Sequence, residues 1–209
     1  MSLPGRSGLD LNFTFYYNSL LWTKDGSYIK YNADLGSPAP GFRLGLPTLQ
    51  QRFYNAQTGI WAYMMVTSSG GRVEMRQVGS SNIYEAQDGG YTQLDVGNPA
   101  TPVVRTSDGT QLKFTPVTIN SEFRCVEIKD RNGNYISASY DTNNGHLQTI
   151  TDTLARVVSF IYDGNNNLQA VRQTWAGVAH DWVTFNCRLR FTVCRLIVSW
   201  STDGCARRR

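Results

Sequence analysis

From Leu9 to Tyr17 apolar and polar side chains alternate, with Leu9, Leu11, Phe13, Phe15 and Tyr17 on one side and Asp10, Asn12 and Thr14 on the other. A period of two predicts a strand buried on one face. The alternation is lost over residues 18–60. Asp25-Gly26 and Gly36-Ser37-Pro38-Ala39-Pro40-Gly41 are loop punctuation, and Pro38 and Pro40 exclude a helix or a central strand. An irregular excursion over the first strands is expected here, pinned by Trp22, Phe42, Phe53 and Tyr54.

From Ile60 the pattern resolves into hairpins. Trp61–Thr67 turns at Ser68-Ser69-Gly70-Gly71 into Arg72–Val78, and Asn82–Ala86 turns at Asp88-Gly89-Gly90 into Tyr91–Val96. Val103–Thr106 turns at Ser107-Asp108-Gly109 into Thr110–Phe114, and Phe123–Ile128 passes through Asp130-Arg131-Asn132-Gly133 into Tyr135–Tyr140. Short alternating runs broken every ~8–12 residues by Gly or Asn predict an antiparallel meander. No segment carries a helical period. The expected fold is all-β: a meander of short hairpins forming one continuous, twisted, open sheet with little helix.

Between Val126 and Val171 the pattern is written twice. Ile128 and Ile150, Asp130 and Asp152, and Tyr140 and Tyr162 are each 22 residues apart. A constant offset of this size is what stacked supersecondary units leave in a sequence. In each copy the strand places three residues on one face, Ile136, Ala138 and Tyr140 and then Val158, Phe160 and Tyr162, and ends in Tyr-Asp before a turn. The turns are Thr142-Asn143-Asn144-Gly145 and Gly164-Asn165-Asn166-Asn167, after which Leu147 and Leu168 start the returning strands. The repeated aspartates Asp130, Asp141, Asp152 and Asp163 read as acceptors for backbone N–H groups of the turns, and Gly133 and Gly145 as left-handed positions.

Charge and cysteine content alter the picture only at the end of the chain. From Cys187 onward there are six Arg against Asp203 alone, a net of +5, so residues 1–186 carry −1 out of the total of +4. Cys187, Cys194 and Cys205 share that tail, and Cys125 is the only one in the body. No Cys pair has zinc-knuckle spacing, and no His follows His180. No run approaches the ~18 apolar residues of a membrane span.

Little chemistry is written in the residues. His146, in a turn, and His180, after Trp175, have no Ser or Cys motif beside them and read as surface histidines. The aspartate spacing does not match a calcium loop. Gly36 to Gly45 lacks the strand-to-helix setting of a phosphate loop, and the Arg tail shows no organised face for nucleic acid. No catalytic residue, metal or cofactor is assigned, no nucleic-acid partner is expected, and the chain is not read as an enzyme.

Tyr140-Asp141 with Gly145 and Leu147, then Ile150-Thr151-Asp152 through Arg156 to Tyr162-Asp163 and Leu168, resembles the Rhs (YD) repeat. The lead-in Leu3-Pro4-Gly5-Arg6-Ser7-Gly8-Leu9-Asp10, with Tyr17-Asn18-Ser19, resembles the segment that opens many Rhs cores. The likeness covers residues 3–186. It departs where the usual turn Gly is Ala155 or Asn166 and the usual Pro is Thr153. The resemblance implies a β-sheet that spirals into a hollow shell, enclosing a C-terminal toxin in toxin complexes and polymorphic toxins or forming part of an adhesion ectodomain in teneurins. It implies a secreted or cell-surface setting, with further Rhs repeats or a C-terminal effector domain as partners. Two repeats are too few to close such a shell, so the chain would be an opening segment, and the family's self-cleaving aspartyl motif is not found. A cell-surface adhesion or carbohydrate-binding module, with a surface glycan as partner, is the alternative. The expected organisation is 1–120 for the N-terminal hairpins, 121–186 for the two repeats and 187–209 for a basic Cys/Arg tail. Two readings fit that tail: an out-of-frame stretch, or a strand over Phe191–Trp200 with a disordered basic end.

Overall fold

Where Gly, Asn or Asp interrupts the alternating runs, the chain reverses, and almost every run between two such points is a strand. The structure, a computed structural model, describes residues 2–17, 22–25, 28–31, 42–55, 60–116, 122–190 and 193–200. Six short strands come first: β1 (Ser2–Leu3), β2 (Leu11–Asn12), β3 (Tyr16–Tyr17), β4 (Trp22–Asp25), β5 (Tyr28–Tyr31) and β6 (Phe42–Arg43). They pair as β1–β2, β3–β6 and β4–β5.

Eight strands follow: β7 (Thr48–Asn55), β8 (Ile60–Val66), β9 (Arg72–Gln77), β10 (Ile83–Ala86), β11 (Gln93–Asp95), β12 (Val103–Arg105), β13 (Gln111–Pro116) and β14 (Glu122–Lys129). Each is antiparallel to the next, and β14 returns to β7 through Glu122↔Gln50, Phe123↔Leu49 and Arg124↔Thr48. These eight strands therefore close into a ring. All eight supply its interior: Leu49, Tyr63, Met65, Met75, Tyr84, Leu94, Val104, Leu112, Phe114 and Cys125 form one buried cluster. An eight-stranded ring is just wide enough for side chains to fill, so this interior is a packed core.

The sheet then continues beyond its own closure. β15 (Tyr135–Tyr140), β16 (Leu147–Thr151), β17 (Val157–Tyr162), β18 (Leu168–Trp175), β19 (Val178–Arg190) and β20 (Val193–Trp200) extend from β14 as an open antiparallel wing. The all-β meander is as expected. Its openness holds for the wing, while the ring is an added feature with no local signature. The Tyr-Asp pattern stops near Asn186, but the ladder does not: Phe185↔Val198 and Cys187↔Leu196 keep β19 and β20 in register. A strand thus covers 193–200, and 191–192 and 201–209 lie outside the described residues.

The first residues lie across the wing. Leu3, Leu11 and Leu44 share a core with Ile136, Leu147, Ile150, Val158, Phe160, Leu168, Val171, Val183 and Phe185, and Leu9, Phe13 and Phe15 pack against it. The apolar side of Leu9–Phe15 therefore faces inward as its period predicts, although Tyr17 is exposed. Only Leu11–Asn12 and Tyr16–Tyr17 are bridged as strand, so side chains hold the segment more than a ladder does. The irregular excursion expected over 18–60 in fact contains β4, β5, β6 and β7. The punctuation at Gly36–Gly41 and the side chains of Trp22, Phe42, Phe53 and Tyr54 lie outside the described residues.

One turn recurs in ring and wing. At Thr67, Thr106, Asp130, Asp152 and Asp163 the backbone N–H bonds the carbonyl four residues on, and the N–H three residues on bonds back to the first carbonyl. The fourth position takes a positive φ in every case: Gly70, Gly109, Gly133, Ala155 (φ 61) and Asn166 (φ 62). A side chain there costs about 1–2 kcal/mol in the left-handed region, partly offset by the ~0.4–1 kcal/mol that Gly loses through its freer unfolded state. Ala155→Gly is expected to raise unfolding stability by about 0.5–1 kcal/mol in urea titration, and an unchanged or lower midpoint would show that this turn is not strained.

Candidate functional site

The repeat signature falls on structure at two levels, turns and rungs. Asp130 Oδ1 accepts from the N–H groups of Asn132 (2.8 Å) and Asn134 (2.9 Å), and Asp163 Oδ1 does the same for Asn165 (2.8 Å) and Asn167 (2.9 Å). Asp152 Oδ1 accepts from Leu154 and Arg156, both at 2.9 Å, and its Oδ2 from Arg156 Nε at 2.6 Å. The side-chain N–H of Asn134 and the backbone N–H of Asn167 hold the Asp130 and Asp163 carboxyls below their ordinary 3.8. Asp141 closes a turn one residue longer, bonding His146 O, with Gly145 at φ 69, and its Oδ1 accepts from Asn143 and Asn144. The aspartates are thus turn acceptors. Among the described residues no group of three or more His, Cys, Asp or Glu is placed to hold a metal ion.

The tyrosines are the rungs. Tyr140 Oη donates to the carbonyl of Cys125 and Tyr162 Oη to that of Leu147, both at 3.0 Å and both to a residue fifteen positions upstream. In both copies the ladder to the next strand shifts register just before the tyrosine, between Ser139 and Tyr140 and between Ile161 and Tyr162. Burial raises both phenols above their ordinary 10. Rings pack in the core while each hydroxyl satisfies a main-chain acceptor, as buried tyrosines require. Leu147 and Leu168 face the same core at the start of the returning strands.

The departures from the repeat pattern also have partners. Thr153 Oγ1 accepts from the N–H of Arg6 at 2.7 Å, and Arg156 Nη2 reaches Pro4 O at 2.5 Å. A Cβ on Gly5 would stand 2.8 Å from Thr153 Oγ1 and 1.9 Å from Leu9 O, so only glycine allows this approach. The second turn is therefore the dock for the start of the chain.

Between ring and wing lies a buried polar seam that the sequence did not announce. Glu122 accepts from Arg43 Nη1 at 3.5 Å and from Arg124 Nη2 at 3.0 Å, and Arg43 Nη1 also donates to Thr48 Oγ1 at 2.8 Å. Both Arg43 and Glu122 are buried. His146, expected on the surface, is instead half-buried and stacked on Tyr162 (centroids 4.7 Å, 24°), with Nδ1 buried and unbonded. Burial is the main cause that lowers its pKa below 6.5; the positive Arg124 lowers it further and Asp141 opposes. Cys125 points into the ring, where burial pushes its thiol up to about 12 and disfavours the reactive thiolate.

His180 lies on β19 opposite Gln173, stacked flat on Trp175 (3.6 Å, 8°), and Trp182 Nε1 donates to Gln173 Oε1 at 3.1 Å. Trp175 is 37% exposed and Val178 55%, so this hairpin end presents an aromatic patch to solvent. Beside it Arg172 holds Asp181 through two bonds, Nε to Oδ1 at 2.6 Å and Nη2 to Oδ2 at 3.1 Å. Nothing brings a nucleophile and a base together at the patch. No protein-family model matches the chain, and a search of curated proteins finds no match.

Tyr140→Phe and Tyr162→Phe should each lower unfolding stability by about 1–2 kcal/mol, because each leaves a carbonyl without its donor. Tyr91→Phe, on an exposed ring, should change nothing. Equal effects at all three would remove the rungs' special role. His146 is held neutral in the fold, so stability should be full above pH 6.5 and decline as pH falls below it, levelling off once the folded form protonates. In denaturant titrations between pH 5 and 7.5 the slope should flatten in His146→Gln, and an unchanged slope would assign it elsewhere.

Proposed function

We propose that this chain is a non-catalytic structural segment of an Rhs (YD-repeat) protein, contributing to a β-shell that encapsulates or presents a C-terminal toxin or effector domain. The observation that carries the reading is the repetition of the tyrosine rung: two hydroxyls, each bonded to a carbonyl fifteen residues upstream, each preceded by the same register shift. Repeats that match in hydrogen bonding as well as in letters behave as stackable units, since a lone hairpin is marginal and gains by packing on its neighbour. The Asp turns and the apolar inner face of the wing support the same reading, because they build a frame and leave the carboxylates engaged. Further Rhs repeats and an effector domain are the partners it implies, with a secreted or cell-surface setting.

A cell-surface adhesion or carbohydrate-binding module is the second reading, favoured by the exposed Trp175–His180 stack, since sugar rings pack on indole faces. The two separate in one comparison. A fusion of this chain to further Tyr-Asp repeats and a protease-sensitive C-terminal domain should protect that domain from proteolysis, and the chain alone should show no saturable binding on a glycan array. Absence of protection, together with saturable glycan binding lost in Trp175→Ala, would overturn the shell reading in favour of the second.

A further inference from the structure

A ladder that forks must leave a gap. β14 is paired with β7 up to Arg124 and with β15 only from Glu127, so residues 124–126 and 138–140 part where the fork opens. Tyr140 crosses the gap to the Cys125 carbonyl. Beside this rung opens a cleft of about 320 Å³, its walls including Thr115, Arg124, Val126, Ser139, Asp141 and Thr142. That is the size of a small-molecule site.

One polar group on the cleft wall, the Arg124 guanidinium, is incompletely satisfied. Arg124 Nη2 donates to Glu122 Oε2 at 3.0 Å. Its Nε is buried without an acceptor. The carboxylate nearest the cleft, Asp141, already accepts from Asn143 and Asn144 N–H and from Gln148 Nε2. A partly exposed guanidinium with an unfilled donor thus stands on one wall and Thr115 and Thr142 on the others, while Ser139 Oγ is engaged with Thr149 Oγ1 at 2.6 Å. Buried donors without partners call for a water or an ion, and the planar fork of an arginine matches a carboxylate or phosphate.

We propose that the fork cleft binds a small oxyanion, a carboxylate or a phosphate, anchored by Arg124. The site belongs to the join between ring and wing and does not depend on the chain being part of a shell.

Thermal unfolding of the full chain, titrated with sodium phosphate, sodium acetate or glucose at an ionic strength held constant with sodium chloride, tests this. Phosphate or acetate should raise the midpoint along a saturating curve, while glucose leaves it unmoved; the oxyanion that saturates at the lower concentration identifies the class. Arg124→Gln should weaken that binding about ten- to hundredfold, the worth of a charge-assisted bond. Thr142→Val, at an exposed position, should weaken it about fivefold, the worth of one neutral bond. A rise that stays linear, or one undiminished in Arg124→Gln, would overturn the proposal, since general salt effects do not saturate. If Arg124→Gln does not fold, an affinity unchanged in Thr142→Val overturns it.

Discussion

β14 carries three neighbours on two edges, and the molecule is organised by that sharing. β13 takes one edge along its length, while β7 takes the first half of the other and β15 the second. A strand can divide an edge only if it bends. Here β14 carries an irregularity where the partners of Lys113 and Phe114 step from Glu127 to Cys125, which leaves Val126 without an opposite number. Such an extra residue locally increases twist and bends a strand. Ile128, at the division, packs against both the ring core and the wing core. Ring and wing are thus one hydrogen-bonded sheet with two apolar interiors.

The same sharing explains why polar side chains are buried where they are. Thr48, Gln50 and Glu122 point away from the ring interior, as their alternation with Leu49 and Phe123 requires, and would be ordinary surface residues on an isolated barrel. Here they are buried, with Arg43 against Thr48 and Glu122. A charge removed from water must be paired or solvated by other groups, and Arg43, reaching in from β6, meets Glu122 for that reason. The first residues have a double role: Leu3, Leu11, Phe13 and Phe15 cover the wing, and Arg43 with Tyr16 fills the seam.

Much of this was legible in the sequence, and the remainder has a physical cause. Every strand from Ile60 to Tyr162 lies within two residues of its expected position, because alternation and turn residues are local signals. The turn roles of Asp130, Asp141, Asp152 and Asp163 were legible for the same reason. The closure of β7 on β14 was not: pairing between Leu49 and Phe123 leaves no mark in either segment. β7 itself was hidden because its outward residues meet a polar seam, so Thr48–Asn55 does not read as one clean apolar face. His146 was misjudged because it stacks on Tyr162, which is sixteen positions away in sequence.

Ring closure also divides the molecule by how it can assemble. Every pairing in the wing joins strands that follow one another in the chain, so each pair can form as soon as its second strand is available. The seam between Leu49 and Phe123 joins residues 74 positions apart, and the loop entropy of such a contact must be spent before its burial is gained. During synthesis β7 has an unpaired edge until all of β8 to β14 has been made, a period in which that edge can pair wrongly. The closing strand is also the strand from which the wing grows. The slow step in the ring therefore fixes the starting template for the fast one.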